Sequence, residues 1–583
     1  MRIKLFIISV FVILNLSAWT QDKGDRKTSF EAKHHMLSKE ELNKSISTKD
    51  FVETEPPEGI VRNIAEFERN QGVIVTNQNY QGINYFGIPN QLIAEMSEDV
   101  NVYIILDNND NISEVTADLQ NEDGINMNNI VFIEAPVDSY WSRDYSPWFI
   151  AYNNPPQIGV VNFAYNRPQR ENDDNMPVAL GTYFNLNVFG MNVIHTGGNY
   201  MCDGMGVAAS TNLVYEESLT EGIDNATVDT RMENYLGISN YHVVPDPQGE
   251  YIAHIDCWGK FLDVDKILIT EVPVSNSQYD DYETAADYWA NQTSSYGNKY
   301  QVYRVFTAVD DENGGAPYTN SLILNEKVLV PLTEFEVWEP NNDAALAVYE
   351  QAMPGYEIIG MQEIDYAIWE NTDALHCRTH EVPDFGMLYI YHMPILDTVD
   401  YAEQFQLTAE ITSYAGNDII SGMPKLHVKI NAGNYVEYQM ENTTGNLFTA
   451  TISDLEGGET IEYYIEVEDN SGRNETHPFI GAPDPHKFFV NQSTGIKSLK
   501  NSYIKVFPNP ATNHISLVLN DLPTGLYSYD IISIDGKTIL SGQLNYINEW
   551  ERHIISTLEL KEGVYVIKVH NKNYSDIFRF IIR

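Results

Sequence analysis

From about residue 57 to 395 the chain runs as short apolar stretches separated by turn-forming and polar residues. Asn101-Val-Tyr-Ile-Ile-Leu, Ile130-Val-Phe-Ile, Gly159-Val-Val-Asn-Phe, Lys266-Ile-Leu-Ile-Thr, Ser321-Leu-Ile-Leu and Lys327-Val-Leu-Val-Pro are dominated by β-branched and other apolar residues, which predicts strands. Between them, Asn342-Asp-Ala-Ala-Leu-Ala-Val-Tyr-Glu-Gln-Ala-Met stops at Pro354 and predicts a helix capped by Asn342. Strands alternating with helices place this region in the α/β class.

Helical patterns vanish from 396 to 492. Lys425-Leu-His-Val-Lys-Ile, Leu447-Phe-Thr-Ala-Thr-Ile and Glu462-Tyr-Tyr-Ile-Glu-Val-Glu largely alternate in period two, the pattern of a small antiparallel β-sandwich of immunoglobulin-like type. No cysteine lies there, so the inter-sheet disulfide of antibody domains is absent. A polar linker begins at about 493, and the segment to 583 alternates again, as in Val564-Tyr-Val-Ile-Lys-Val, predicting a second small all-β sandwich domain. At the other end, Met1-Arg-Ile-Lys and the apolar stretch from Leu5 to Leu16 predict a signal peptide over 1–20. Residues 21–56 have no firm period and read as a mobile or pro-type segment. No later run reaches the roughly 20 apolar residues of a transmembrane helix, so none is expected in the mature protein.

Composition narrows the partners. With 43% hydrophobic residues the chain is globular in type, and 35 Lys and Arg against 83 Asp and Glu give a net charge of −48. Phosphate contacts need clustered cations, so nucleic acid and anionic membrane are poor partners. A cationic substrate fits better, although acidity also serves simple solubility.

The three cysteines are Cys202, Cys257 and Cys377, an odd count that leaves at least one thiol free in a monomer. Cys377 lies between His376 and Arg378, with His380 nearby, an electropositive setting that lowers a thiol pKa. The alternative is a small buried hydrophobe. Asp138-Ser-Tyr-Trp-Ser-Arg-Asp-Tyr carries Trp141 and Asp144, a carboxylate among aromatics suited to a cation or else an exposed turn. Tyr251-Ile-Ala-His-Ile-Asp-Cys-Trp, read as an extended strand, puts His254 and Asp256 on one face. That pairs a titratable group with a carboxylate for acid/base work, or makes a strand histidine bonded to its neighbour. No HExxH or spaced Cys/His set accompanies them, which argues against zinc. His195-Thr-Gly-Gly-Asn reads as a plain turn, Asn320 either orients a nucleophile or closes a turn, and Arg167-Pro-Gln-Arg170 offers two cations in a loop.

The successive motifs D-S-Y-W-S-R-D-Y, H-T-G-G-N, H-I-D-C-W, T-N-S-L and A-L-H-C resemble, in order and over residues 57–395, those of the bacterial porphyromonas-type peptidylarginine deiminases and their agmatine deiminase relatives. Val506-Phe-Pro-Asn-Pro-Ala-Thr-Asn, with Gly563-Val-Tyr-Val-Ile-Lys-Val, resembles the type IX secretion C-terminal sorting domain. The resemblance implies a pentein fold, a five-bladed propeller of ββαβ units over 57–395, followed by two small all-β sandwich domains at 396–492 and 493–583. It implies no cofactor and no metal, an enzyme hydrolysing arginine-containing peptides or proteins, contact with the outer-membrane secretion machinery, and an extracellular or surface-attached location. Carried over position by position, Cys377 would be the nucleophile, Asp144 and Asp256 would hold the guanidinium, His254 would be the general acid and base, and Asn320 would place the thiol. Trp141 would flank the substrate stem and Tyr251 would touch its backbone. His376 and His380 then read as local structure. Where the family has two arginines around a proline for a C-terminal carboxylate, Arg167 matches the first, but Gln169 stands in the second place with Arg170 one residue on. Agmatine or free arginine as substrate, a papain-like cysteine protease and a non-catalytic adhesin are the alternatives.

Overall fold

The computed structural model describes Thr48 and residues 51–80, 83–107, 110–310, 314–364, 368–492, 504–519, 522–546, 552–572 and 575–583. The expected signal peptide, most of the segment after it and the linker from 493 lie outside these residues.

Five small sheets repeat one plan between residues 62 and 383. A hairpin supplies two antiparallel strands, and a helical crossover then returns a third strand parallel to the second. Trp148–Tyr152, Gln157–Tyr165 and Asn187–His195 form one such set, with Arg62–Asn63 added at the edge. Met201–Cys202, Val207–Thr211 and Asn240–Val244 form the next, followed by Gly259–Asp263, Lys266–Glu271 and Gln301–Phe306. Leu322–Leu324, Lys327–Leu332 and Glu357–Gln362 make the fourth. The fifth joins the two ends of the region: Asn70–Thr76, Asn101–Leu106 and Ile130–Glu134 take their antiparallel partner from His380–Pro383.

This plan explains the continuous apolar runs. A middle strand has a neighbour on each side and is covered on both faces, so Val207–Thr211 is buried at every position and Lys266–Glu271 and Lys327–Leu332 at all but the last. All the strands expected from such runs are present. The helix Asn342–Ala352 is also present, but Asn342 does not cap it. Its amide oxygen accepts from the Tyr318 hydroxyl at 2.9 Å and its amide nitrogen donates to the Thr333 carbonyl at 2.9 Å, so packing between elements has claimed the side chain.

Beyond residue 383 every regular element among the described residues is a strand. Leu388–Tyr391 pairs with Phe405–Ser413 in a four-stranded sheet, and a second sheet is built on Thr460–Glu468, whose side chains alternate between buried and half-buried. The inner faces of the two sheets share one core. Two further sheets, built around His514–Leu519 and Gly525–Ser533, enclose a separate core. Both β units are tied to the five-sheet region. Arg69 donates to Glu475 at 2.8 Å, and Arg552 reaches the Met205 carbonyl and, at 2.9 Å, the Ser239 hydroxyl. No described helix is long and apolar enough to cross a membrane.

Candidate active site

Each connection from one five-sheet unit to the next contributes to one place. The link after Ile130–Glu134 supplies Trp141 and, in the short helix Ser142–Tyr145, Asp144. The following links supply Gly197 to Asn199, then His254 and Asp256, then Asn320, and last Cys377. Residues far apart in sequence therefore meet because successive units deliver them to a common centre.

Cys377 is 2% exposed. Its Sγ accepts from Asn320 Nδ2 at 3.3 Å and lies 3.8 Å from Asp256 Oδ2. Asn320 Oδ1 in turn takes the backbone N–H groups of His376 and Cys377 at 2.9 and 3.2 Å, so one amide fixes both the thiol and the chain that carries it. Trp141, Tyr140 and Tyr85 form the apolar wall beside the sulfur. His254 is fully buried and its Nδ1 lies 3.6 Å from Asp144 Oδ1.

His254 and Asp256 are not on one face of a strand. Ile255–Cys257 is a single 3₁₀ turn with His254 just before it, which turns the imidazole toward Asp144 and the carboxylate toward Cys377 and His376. Nor is His195-Thr-Gly-Gly-Asn a plain turn. A Cβ on Gly198 would come within 2.5 Å of His254 Nδ1 and 2.9 Å of Asp144 Oδ1, and one on Gly197 would overlap the Arg143 carbonyl oxygen. Both glycines are needed for the close approach of these connections.

The electrostatics also depart from expectation. The positive charges around Cys377 are already engaged. Arg378 forks onto Asp373 at 2.9 and 2.8 Å and donates to the Gly87 and Ile368 carbonyls, and His380 Nε2 pairs with the Pro147 carbonyl at 3.1 Å. His376 lies between Asp256 at 2.7 Å and Glu66 at 3.0 Å. A hydrogen bond with Cys257 lowers the Cys377 thiol pKa, but burial and the carboxylates of Asp256, Asp373 and Asp144 outweigh it and push the value up to about 11. Burial likewise drives Asp144 up to about 7; Arg167 and Arg170 oppose the rise and Asp256 adds to it. Asp256 goes the other way: burial acts to raise it, but the bond to His376, that ring's charge, His254 and Arg143 hold it below the usual carboxylate value.

Around the mouth, the Arg170 guanidinium lies 4.8 Å from the Trp141 ring centre, and Arg167 and Arg170 are both buried. Tyr251 is 42% exposed and within electrostatic reach of both arginines. The nine residues singled out by sequence thus converge. The site has a thiol, a buried imidazole, two carboxylates of contrasting charge and an aromatic wall, a set that can bind a planar cation and attack its carbon. Among the described residues no group of three or more His, Cys, Asp or Glu is placed to hold a metal ion. Gly197 and Gly198 lie in a stretch that the sequence marks but leaves as a turn; Glu66 was not picked out, and nothing local marks it, since it lies 310 residues from its partner His376.

The family model for Porphyromonas-type peptidyl-arginine deiminase matches residues 87–383, and that for the secretion system C-terminal sorting domain matches 505–583. The chain belongs to the Porphyromonas-type peptidyl-arginine deiminase family. The deiminase is 21% identical over 271 residues, 44% of its own length and 75% of the other, to a Legionella pneumophila protein provisionally named agmatine deiminase. The agmatine deiminase of Enterococcus faecalis is similar in structure, with 17% identity, TM-score 0.47, and 57% of this chain and 99% of that one covered. For the Campylobacter jejuni agmatine deiminase the figures are 16%, 0.44, 55% and 96%. The sorting domain makes the deiminase an exported protein, handled by the type IX secretion machinery and destined for the cell surface or the medium.

Proposed function

We propose that this protein hydrolyses the guanidino group of peptidyl-arginine, with C-terminal arginine preferred, to peptidyl-citrulline and ammonia. In this reading the five repeated sheets are the blades of the pentein propeller, the site lies on its axis, and the first all-β unit is the immunoglobulin-like domain.

The observation that carries the reaction is the placement of Cys377 Sγ against Asn320 and Asp256, with Asp144 and His254 3.6 Å apart beside it. Resonance makes a guanidinium carbon a poor electrophile, so catalysis must fix its plane and supply a desolvated thiolate. Asp144 and Asp256 accept hydrogen bonds from the guanidinium nitrogens. The arriving cation offsets the carboxylates that hold the thiol neutral, and Cys377 gives up its proton to solvent as substrate binds. The thiolate then bonds to the guanidinium carbon. Protonated His254 delivers its proton to one terminal nitrogen, the C–N bond breaks, ammonia leaves and an S-alkylthiouronium remains on Cys377. Neutral His254 takes a proton from water, whose oxygen adds to the same carbon. The C–S bond breaks as the added hydroxyl loses its remaining proton to solvent, and the thiolate and the ureido group of citrulline are the products.

Burial of Arg167 and Arg170 beside Trp141 and Tyr251 supports a peptide carboxylate as the second feature recognised. Citrulline release from a C-terminal arginyl peptide, an internal arginyl peptide and free arginine, and ureido product from agmatine, tests the proposal with Cys377→Ala as control. The C-terminal peptide is expected to be the best substrate. A better rate on agmatine would reassign the substrate, and peptide cleavage without ureido product would overturn the reaction.

A further inference from the structure

Behind Asp256 a buried charged chain runs away from the substrate side. His376 Nδ1 faces Asp256 Oδ2 at 2.7 Å and its Nε2 faces Glu66 Oε2 at 3.0 Å. Two carboxylates accept and cannot donate when ionised, so the ring satisfies both only by donating from both nitrogens, as an imidazolium. Glu66 is itself secured: Lys260 Nζ reaches its two oxygens at 2.8 and 2.7 Å, and the backbone N–H of Ile323 donates to Oε1 at 2.7 Å. Arg143 donates through Nε to the His376 carbonyl at 3.4 Å and pairs with Glu381 at 2.6 Å. The His376 side chain is only 4% exposed.

We propose that His376 and Glu66 are positioning residues that keep Asp256 ionised and aimed at the substrate. The inference rests on the proposed reaction. Asp256 and Asp144 differ in what faces them. Asp256 meets His376, His254, Arg143 and the thiols of Cys257 and Cys377, whereas Asp144 meets His254, Arg167, Arg170 and the like charges of Asp256 and Asp373. Two carboxylates close together in a dry site resist ionising together. A ring that donates to both carboxylates resolves this by giving Asp256 a counterion, and Glu66, held by Lys260, is the second carboxylate that ring faces. In the empty site Asp256 is therefore the fixed anion and Asp144 the one that yields its proton when the cation arrives. Replacing Glu66 by glutamine lets His376 remain neutral while keeping its bond to Asp256. Replacing His376 removes the counterion altogether.

The pH dependence of kcat/KM distinguishes this role from simple packing. In the wild-type full-length enzyme the Asp144 carboxyl, at about 7, adds one unit of slope to the acid limb of log kcat/KM, beside the unit that the Cys377 thiol, at about 11, contributes. In His376→Gln the Asp256 carboxyl loses the partner that holds it below the usual carboxylate value, so its pKa rises, and the acid limb steepens by a further unit of slope. Glu66→Gln moves the same way by a smaller amount. A folded His376→Gln enzyme, judged by its thermal midpoint, that keeps the wild-type acid limb and wild-type kcat/KM overturns the inference. If His376→Gln does not fold, Glu66→Gln carries the test, and an unchanged profile overturns the inference just the same. If the wild type converts no arginyl substrate, the reaction reading fails. The pH dependence of Cys377 protection from alkylation by agmatine then reports the same carboxylates, and unaltered protection in both variants overturns the positioning role.

Discussion

Asn320 holds Cys377 from both ends, its Nδ2 donating to Sγ at 3.3 Å while its Oδ1 accepts the Cys377 backbone N–H at 3.2 Å. Asn320→Ala removes both and leaves the sulfur free to turn away. A misplaced nucleophile costs about 10²-fold, so kcat/KM for citrulline formation should fall by roughly that factor. Asn320→Asp should do worse, because a further carboxylate beside the sulfur opposes thiolate formation. Steady-state kinetics on the two variants, with thermal unfolding as the fold control, gives the comparison.

The substrate-free thiol should resist alkylation. Iodoacetamide labelling of Cys377 against pH should give a midpoint near 11, because burial and three carboxylates favour the neutral thiol. A non-reactive arginine analogue should move the midpoint down, as the cation offsets those charges. Asp144→Asn should lower it without any analogue, since Asp144 is one of the three. An analogue that leaves the profile unchanged would sink the idea that substrate activates the nucleophile.

Asp144 links activity to stability. Its carboxyl is pushed up to about 7, first by burial, so the folded protein holds a proton there that the unfolded chain has released above about pH 4. The sign follows directly: as pH rises from about 4 through 7, ionising the buried group lowers stability. Asp144→Asn should raise the thermal midpoint at pH 8 by a few degrees, on the order of 1 kcal/mol, while abolishing turnover. Differential scanning calorimetry at pH 5 and pH 8 should show the gain only at the higher pH.

Much of the architecture was legible in the sequence because each middle strand of the five units is buried on both faces and writes itself as a run such as Lys266-Ile-Leu-Ile-Thr. The all-β units were legible for the opposite reason, since Thr460–Glu468 buries every second residue. What stayed hidden depends on how the units face one another. His254-Ile-Asp256 looks like strand alternation, yet the connection there tightens into a 3₁₀ turn because His254 and Asp256 serve different partners. The charges beside Cys377 looked activating because their counterions cannot be read from adjacency: Asp373 turns back onto Arg378 from five residues earlier in the same loop, and Glu66 meets His376 from 310 residues away.

Gly197 and Gly198 separate fold from function within one motif. A methyl group at Gly198 meets the side chains of His254 and Asp144 rather than backbone. Gly198→Ala should therefore fold, with kcat/KM reduced by at least about tenfold. At Gly197 the added methyl meets the backbone carbonyl of Arg143, which cannot yield without shifting the helix that carries Asp144. Gly197→Ala should lower the thermal midpoint as well as the activity, an overpacking cost of about 1–3 kcal/mol.

Substrate preference should lie with the arginine pair. Arg167 is 7% exposed and beside Asp144, and Arg170 is placed over Trp141. A guanidinium substrate would be repelled by two arginines unless its own carboxylate met them, and a C-terminal arginyl peptide brings that carboxylate with it. Arg167→Ala should raise KM for such a peptide by about tenfold or more, the value of one charge-assisted hydrogen bond. It should leave agmatine, which has no carboxylate, unchanged or improved. The ratio of kcat/KM for the peptide over agmatine, measured in wild type, Arg167→Ala and Arg170→Ala, isolates the effect, because losses in the shared chemistry cancel. A ratio unmoved by either substitution would mean that the carboxylate is recognised by other groups, and would leave Gln169 as the next residue to replace.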